Sequence, residues 1–205
     1  MSTIKAIFFD LGNVIINFDP LIAEKGYGEV CVIREGNLVD YIMGSRNMDM
    51  YMEGRLTSSQ FYSKTCRIFK IKLKYGDFYR IWNSIFFPYP EMEDIVRKIR
   101  KDYPDIKLML VSNTNEEHFN FLKKEYPVLA LFDAHVVSHE VGRQKPHPDI
   151  FKAALKLSGV LPRDIFYTDD REDLIEFART MGIKAQLFTG HQPLREQLGK
   201  YGITV

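Results

Sequence analysis

The stretch AIFFDLGNVI, residues 6–15, decides the fold, because it has the pattern of a buried strand that ends in a polar turn. Its first four residues are apolar and suited to a β-strand. Asp10 interrupts this apolar run, and Gly12 follows two places later. An ionised carboxylate is costly to bury without a partner. Asp10 therefore needs either a cationic partner or a chemical role.

The composition predicts no nucleic-acid and no membrane partner. The chain has 205 residues, of which 45% are hydrophobic, and this is enough for one domain with an insertion. Its 28 Lys and Arg residues nearly balance 27 Asp and Glu residues, so no basic field favours nucleic acid. No apolar run reaches membrane-spanning length, and the first residues lack the pattern of a signal peptide. We therefore expect a cytoplasmic protein.

Short runs of β-prone residues alternate with helical patterns along much of the chain. The runs that resemble buried parallel strands are residues 4–10, 106–112, 164–169 and 183–188, with a weaker one at 134–138. From residue 90 onward, helical patterns with proline starts and glycine stops separate these runs. This alternation predicts an α/β fold with a doubly wound parallel sheet.

Residues 19–87 lack a strand pattern and contain helical patterns instead. They predict a small helical domain inserted into an α/β core that consists of residues 1–18 and 88–205. The connections NFDP (17–20) and FFPYP (86–90) have the composition expected of hinges. The aromatic residues of the segment 75–87 are expected to form the core of the insertion, with a stacking platform as the alternative.

Polar residues follow the predicted strands at the point where each strand ends. In an open parallel sheet, ligands bind beyond the carboxyl ends of the strands. The residues at these ends, or just before the helix that starts near Pro148, are Asp10, Gly12, Ser112, Asn113, Lys145, Asp169 and Asp170. Carboxylates from two strands would repel each other unless a cation joined them. Hard oxygen ligands at an open site suit Mg²⁺.

A lysine and a serine beside such an ion suit a phosphoryl group. Asp10 then has a direct chemical use, as the nucleophile that forms an aspartyl-phosphate. The sequence therefore predicts Asp10, Ser112 and Lys145 as catalytic residues, and Ser112, Asn113 and Lys145 as substrate-binding residues.

The segments DLGNV, VSNTN, RQKPHPDIF and YTDDREDLIEFA, in this order, resemble the four motifs of the haloacid dehalogenase-like (HAD) hydrolases. The insertion lies where that family keeps its helical cap of the first type. YMEGRLTSSQFY and WNSIF also resemble cap segments of one phosphatase branch, which includes a glucose-1-phosphate phosphatase. The resemblance implies a Rossmann-like core, Mg²⁺ and a phosphoric monoester hydrolase.

The resemblance also implies a role for each site residue. Asp10 would be both the nucleophile and a metal ligand, and Gly12 would offer its carbonyl oxygen to the metal. Asp169 would be the main acidic ligand, and Asp173 would support the metal or its waters. Asp170 would either ligate, orient a neighbour or only cap a helix.

One position departs from the family pattern. Most phosphatases of the family have a second aspartate, the general acid and base, where this chain has Gly12. General acid catalysis contributes ~10²–10⁴-fold to a rate. Either another group or water supplies the proton, with Asp19 as a candidate, or the leaving group needs little help. A sugar 1-phosphate would meet the second condition better than a simple alkyl phosphate.

Three functions remain open from the sequence. The first is a Mg²⁺-dependent phosphatase acting on a small phosphorylated metabolite, possibly a sugar phosphate. The second is a haloacid dehalogenase, which needs no metal and which in this family carries an aromatic residue where Gly12 stands. The third is a phospho-acceptor module or a catalytically impaired member kept for binding. The substrate and the oligomeric state are not determined by the sequence.

Overall fold

The computed structural model describes residues 4–30 and 44–205, and its centre is a five-stranded parallel sheet. The strands are β1 (Ala6–Phe9), β4 (Lys107–Ser112), β5 (Ala134–Val137), β6 (Ile165–Asp169) and β7 (Lys184–Leu187). Their order across the sheet is β5-β4-β1-β6-β7, with parallel pairing throughout. The central position of β1 requires crossovers in both directions, so the prediction of a doubly wound sheet is confirmed.

A second, two-stranded sheet connects this core to the helices that follow β1. Strand β2 (Ile16–Phe18) pairs antiparallel with β3 (Phe86–Pro88), and Phe18 lies opposite Phe86. The sequence showed no strand pattern in residues 19–87, whereas Phe86 and Phe87 belong to β3. Strands of three residues are too short to show a period of two in the sequence.

The helices lie in two groups. Before β3 come α1 (Pro20–Val30), α2 (Arg46–Met52), α3 (Ser58–Phe69) and α4 (Tyr75–Asn83), which we call the helical segment. After β3 come α5 (Pro90–Asp102), α6 (Glu116–Glu125), α7 (Ser138–Val141), α8 (Pro148–Ser158), α9 (Glu172–Thr180) and α10 (His191–Gly199), with 3₁₀ turns at Pro127–Leu131 and Pro162–Asp164. None of the helices in the described ranges has the length and apolar character needed to cross a bilayer.

Three buried clusters follow from the periodicity of these elements. In β1, Ile7 and Phe9 pack on one face of the sheet, while Ala6 and Phe8 pack on the other. Helices cover both faces, so the strand is apolar on both sides. The third cluster is rich in aromatic residues and belongs largely to the helical segment. Our division into core and cap remains a proposal, and residues 31–43 of the predicted insertion lie outside the described residues.

Hydrogen bonds tie the helical segment to the core. Ser58 Oγ donates to Glu116 Oε2 at 2.6 Å, which joins α3 to the start of α6. Ser138 Oγ, at the start of α7, donates to the carbonyl oxygen of Met52 at 2.6 Å. These contacts hold the helical segment over the carboxyl edge of the parallel sheet.

Gly54 allows the closest approach between the two parts. Its φ is +66°, and a Cβ added there would lie 2.1 Å from the carbonyl oxygen of His139. We expect Gly54→Ala to lower the free energy of unfolding by more than about 1 kcal/mol. Gly76→Ala is the matched control, because an added Cβ in α4 would have nothing within 4 Å. That change should be neutral or stabilise by up to about 1 kcal/mol. Equal urea midpoints for the two variants would contradict this assignment.

His118 packs α6 against α4 and is buried. Its ring stacks on Trp82 with centroids 5.0 Å apart, and Nε2 lies 3.2 Å from the carbonyl oxygen of Trp82. Nδ1 lies 3.1 Å from the side-chain amide nitrogen of Asn115, the N-cap of α6. A neutral ring that donates from Nε2 and accepts at Nδ1 satisfies both contacts. Burial lowers the pKa of His118 to about 3.

This pKa has a consequence for stability. An unfolded histidine has a pKa of about 6.5, so the unfolded chain binds a proton that folded His118 does not bind below that pH. The contribution of His118 to stability is therefore complete above about pH 6.5 and is lost progressively as the pH falls toward 3. We expect His118→Gln to reduce the fall in unfolding free energy between pH 7 and pH 4.5, measured by urea titration. An unchanged pH slope in the variant would refute this explanation.

Candidate active site

Two carboxylates and one lysine meet at the carboxyl edge of the sheet. Asp10 follows β1, and Asp169 ends the adjacent strand β6, so the pairing of these strands brings their side chains together. Lys145 Nζ lies 2.6 Å from Asp10 Oδ1 and 2.6 Å from Asp169 Oδ2. All three residues are buried. The three predicted residues therefore form one buried charged cluster.

Strand β4 holds the lysine in place. Lys145 Nζ also donates to the carbonyl oxygen of Val111 at 2.8 Å. The Asn113 side chain accepts from the backbone amide of Lys145 at 2.7 Å and donates to its carbonyl oxygen at 3.0 Å. A cis peptide bond joins Lys145 to Pro146. The side chain of Asn113 thus positions the lysine, while Ser112, at the end of β4, lines the cavity beside the cluster.

The cluster carries more negative than positive charge. The pKa of Asp10 is raised to about 6, chiefly by burial; Lys145 opposes this rise, and the nearby charge of Asp169 adds to it. Burial works against the charged form of Lys145, but the two carboxylates raise its pKa overall. One ammonium group is therefore shared by two carboxylates, which leaves the site electrostatically suited to a further cation.

A third carboxylate joins the cluster, and it is Asp170 rather than Asp173. Oxygen atoms of Asp10, Asp169 and Asp170 all lie within 4.8 Å of one another. Burial and the charge of Asp169 raise the pKa of Asp170. The N-cap of α9 is Arg171, so Asp170 does not cap that helix.

Asp173 lies outside this group, which departs from the role that the resemblance implied for it. Its carboxylate pairs with the Arg171 guanidinium at 2.6 Å, and its side chain is 56% exposed. The hydrogen bond from Arg171 lowers the pKa of Asp173. Asp173 lies in the first turn of α9 and is not among the residues that line the cavity, whereas Asp170 precedes the helix and lines it.

Tyr167 also contacts the charged cluster, and it was not among the site residues predicted from the sequence. Its hydroxyl donates to Asp169 Oδ2 and lies 3.3 Å from Lys145 Nζ. Burial raises the pKa of Tyr167, so the hydroxyl keeps its proton. Residues two apart in a strand share a face, and this spacing in YTD could have indicated that Tyr167 lies beside Asp169.

Gly12 lies in close contact with the Phe18 ring. Its backbone does not adopt the left-handed conformation, whereas Asn13 does, with a φ of 55°. A Cβ added to Gly12 would lie 2.7 Å from Cε1 of the Phe18 ring. The first side-chain carbon of an aspartate here would therefore overlap the ring. The Phe18 ring, from β2, therefore overlaps the Cβ position of the aspartate that acts as general acid in most phosphatases of the family.

Asp19, the candidate suggested by the sequence, is engaged at the start of α1. Its carboxylate accepts a hydrogen bond from the amide of Leu21 at 2.9 Å, at the start of α1. It is not among the described residues that line the cavity beside the cluster. The candidate suggested by the sequence therefore has a structural role at the helix start.

The cluster lies at one end of a cavity of about 470 Å³ between the sheet and the helical segment. Gly12, Ser112 and Asn113 line this polar end together with the charged residues. Much of the remaining lining is apolar, and we call the following set the apolar wall: Phe18, Met48, Met52, Trp82, Ile85 and Phe86. Trp82 and Phe86 thus belong both to the packing around the helical segment and to the cavity surface.

The chain is similar to proteins with known names and structures. It is 24% identical over 188 residues to D-ribitol-5-phosphate phosphatase of Bacteroides thetaiotaomicron, covering 88% of this chain and 90% of that protein. A HAD family enzyme of the same organism matches in structure with a TM-score of 0.80 and 25% identity, covering 90% of this chain and 93% of the other. That enzyme has also been solved with magnesium and inorganic phosphate.

A predicted HAD-like family hydrolase of Porphyromonas gingivalis has the same fold, with a TM-score of 0.82 at 22% identity and coverage of 97% and 98% of the two chains. The family profile of haloacid dehalogenase-like hydrolases matches residues 4–182. The expected family and the expected hydrolase class are confirmed by this match. This chain belongs to the haloacid dehalogenase-like hydrolase family.

Proposed function

We propose that this protein is a Mg²⁺-dependent phosphatase that acts on a small phosphorylated molecule through an aspartyl-phosphate on Asp10. The observation that carries the proposal is the buried contact of Lys145 Nζ with both Asp10 and Asp169, at the end of an open cavity. The phosphatase named among the similar proteins supports the same reaction class.

The donor atoms fit a magnesium ion. Asp10, Asp169 and Asp170 provide carboxylate oxygens within 4.8 Å of one another. Gly12 lines the same cavity, and its carbonyl would be a fourth hard oxygen ligand. No histidine or cysteine belongs to this group in the described part of the chain. When bound, the ion would neutralise charge on the phosphoryl oxygens and on the carboxylates.

The residues of this chain carry the remaining chemistry. The free oxygen of Asp10 would attack phosphorus while the bond from phosphorus to the leaving oxygen breaks. Lys145, which already contacts Asp10, would offset the negative charge that gathers there. Ser112 and the amide that follows it would hold the phosphoryl group at the end of β4. A water molecule would then release phosphate from Asp10 and restore its carboxylate.

A second reaction has one observation in its favour. The Phe18 ring lies against Gly12, so an aromatic group stands beside the nucleophile, as in the dehalogenases of the family. The third carboxylate of the cluster favours the phosphatase instead, because displacement of a halide from carbon needs no metal. The two reactions therefore differ in their dependence on a divalent cation.

We expect phosphate release to require Mg²⁺, because Lys145 pairs with only two of the three clustered carboxylates. Chelation with EDTA should reduce phosphate release from a panel of phosphate esters to the background rate, and excess Mg²⁺ should restore it. Halide release from a 2-haloacid, measured in parallel, should be absent. Full activity on a 2-haloacid in the presence of EDTA would select the dehalogenase reaction instead.

We expect Asp10→Asn to lower phosphate release by more than about 10³-fold, because an amide cannot form the acyl-phosphate. Asp173→Asn is the matched control, since that carboxylate is exposed and pairs with Arg171. The control variant should keep most of the wild-type rate, with folding of both variants checked by circular dichroism. A comparable loss in both variants would show that Asp173 belongs to the site after all.

A further inference from the structure

The cavity beyond the charged cluster bears on the kind of molecule that this site accepts, provided that the proposed phosphatase function is correct. Three of the six residues of the apolar wall are aromatic, namely Phe18, Trp82 and Phe86. Met48 and Met52 add polarisable side chains, which pack well against aromatic rings. A ligand that fills this space therefore meets apolar surface next to the reacting phosphorus.

Some polar groups beside the apolar wall, those of Tyr27 and His118, have partners within the protein. The Tyr27 hydroxyl donates to the carbonyl oxygen of Phe78 at 2.8 Å. Both ring nitrogens of His118 contact hydrogen-bonding groups, one from Asn115 and one from Trp82. A hydroxyl group buried without a hydrogen bond loses its hydration without compensation. The lining also includes Asp49, Thr114 and Gln144, and Trp82 Nε1 has no hydrogen-bond partner among the described residues, so the preference for an apolar ligand rests on the extent of the apolar wall.

The contact of Phe18 with Gly12 limits the leaving group in a second way. The ring occupies the place where a general acid would begin, and Asp19 is used at the start of α1. The leaving oxygen must then depart with its electron pair, without receiving a proton from a positioned acid. A phenol has a pKa of about 10, whereas an alkanol is closer to water, at about 15.7. A phenolate leaves without such help far more readily than an alkoxide.

We propose that the substrate of this site is an aryl phosphate monoester, whose aromatic ring packs against Phe18, Trp82 and the neighbouring apolar residues. Both observations lead to the same class of molecule, since an aryl group is apolar and is also a good leaving group. This class differs from the sugar phosphate that the sequence suggested and from the polyol phosphate in the name of a similar protein.

The reaction balances without any further reagent. An Asp10 oxygen forms a bond to phosphorus, and the bond from phosphorus to the phenolic oxygen breaks. The phenolate leaves with the electron pair and takes a proton from water. A second water then attacks phosphorus, which releases inorganic phosphate and a proton and restores the Asp10 carboxylate. The net reaction is hydrolysis of the ester.

The first test separates the leaving group from the apolar contact. Four esters are compared by kcat/KM at fixed Mg²⁺: phenyl phosphate, benzyl phosphate, acetyl phosphate and D-ribitol 5-phosphate. Benzyl phosphate keeps the ring but has an alkoxide leaving group, and acetyl phosphate has a good leaving group without a ring. We expect phenyl phosphate to exceed each of the others by about tenfold or more, with D-ribitol 5-phosphate the slowest. Equal or faster turnover of D-ribitol 5-phosphate would overturn the inference.

The second test measures binding without turnover. The sequence has one tryptophan, and this residue, Trp82, lines the cavity. Its fluorescence should therefore respond to a ligand on the apolar wall. We expect phenylphosphonate, whose carbon–phosphorus bond resists hydrolysis, to change this fluorescence with at least about tenfold tighter affinity than 2-hydroxyethylphosphonate. Equal affinities would remove the aryl preference.

A pair of phenylalanine variants locates the effect. Phe18→Ala should lower kcat/KM for phenyl phosphate by at least about tenfold more than it lowers kcat/KM for acetyl phosphate. Phe87→Ala is the control, because Phe87 lies in the same hairpin, is 42% exposed and is not among the cavity-lining residues. The control should leave both values unchanged. An equal loss for both substrates in Phe18→Ala would indicate only a structural role for the ring.

The outcomes distinguish this inference from the proposed function. If no ester is hydrolysed but phenylphosphonate still binds tightly to Trp82 and its neighbours, the phosphatase proposal fails and the aryl preference of the cavity stands. If esters are hydrolysed with a preference for the polyol phosphate, the phosphatase proposal stands and the aryl preference fails. Absence of both turnover and phosphonate binding would reject the two together.

Discussion

The buried ammonium group of Lys145 between Asp10 and Asp169 is the interaction on which the site depends. Parallel pairing of β1 with β6 forces the two carboxylates together at one edge of the sheet. Without a counter-charge, their burial would be strongly unfavourable. Loss of one partner from such a buried pair costs about 3–5 kcal/mol. The same contact therefore stabilises the strand ends and fixes the nucleophile in the position that the proposed reaction needs.

The charge at this edge also explains which acidic residues belong to the site. Asp170 precedes α9 and remains close to Asp10 and Asp169. Asp173, in the first turn of α9, instead pairs with the Arg171 guanidinium at the surface. With Lys145 shared by two of three nearby carboxylates, the cluster retains negative charge, and this excess is what suits the edge of the sheet to a divalent cation.

The helical segment and the short hairpin determine what the charged end can act on. Strand β2 carries Phe18 back against Gly12, so the loop that holds the nucleophile also packs against the aromatic side of the cavity. The Phe18 ring thus contacts Gly12, the position of the second aspartate in most phosphatases of the family, and also lines the apolar part of the cavity. Chemistry and selectivity are coupled here through the packing of a single ring.

The sequence by itself determined the parallel sheet, because all five strands have β-prone compositions and lie between helical patterns that have clear start and stop signals. It also indicated the cluster of Asp10, Lys145 and Asp169, since parallel strands end at one edge. Only the tertiary structure decided that Asp170 joins the cluster while Asp173 does not, and that Phe18 occupies the space beside Gly12. These facts depend on the directions of side chains from different elements, and spacing along one chain does not specify those directions.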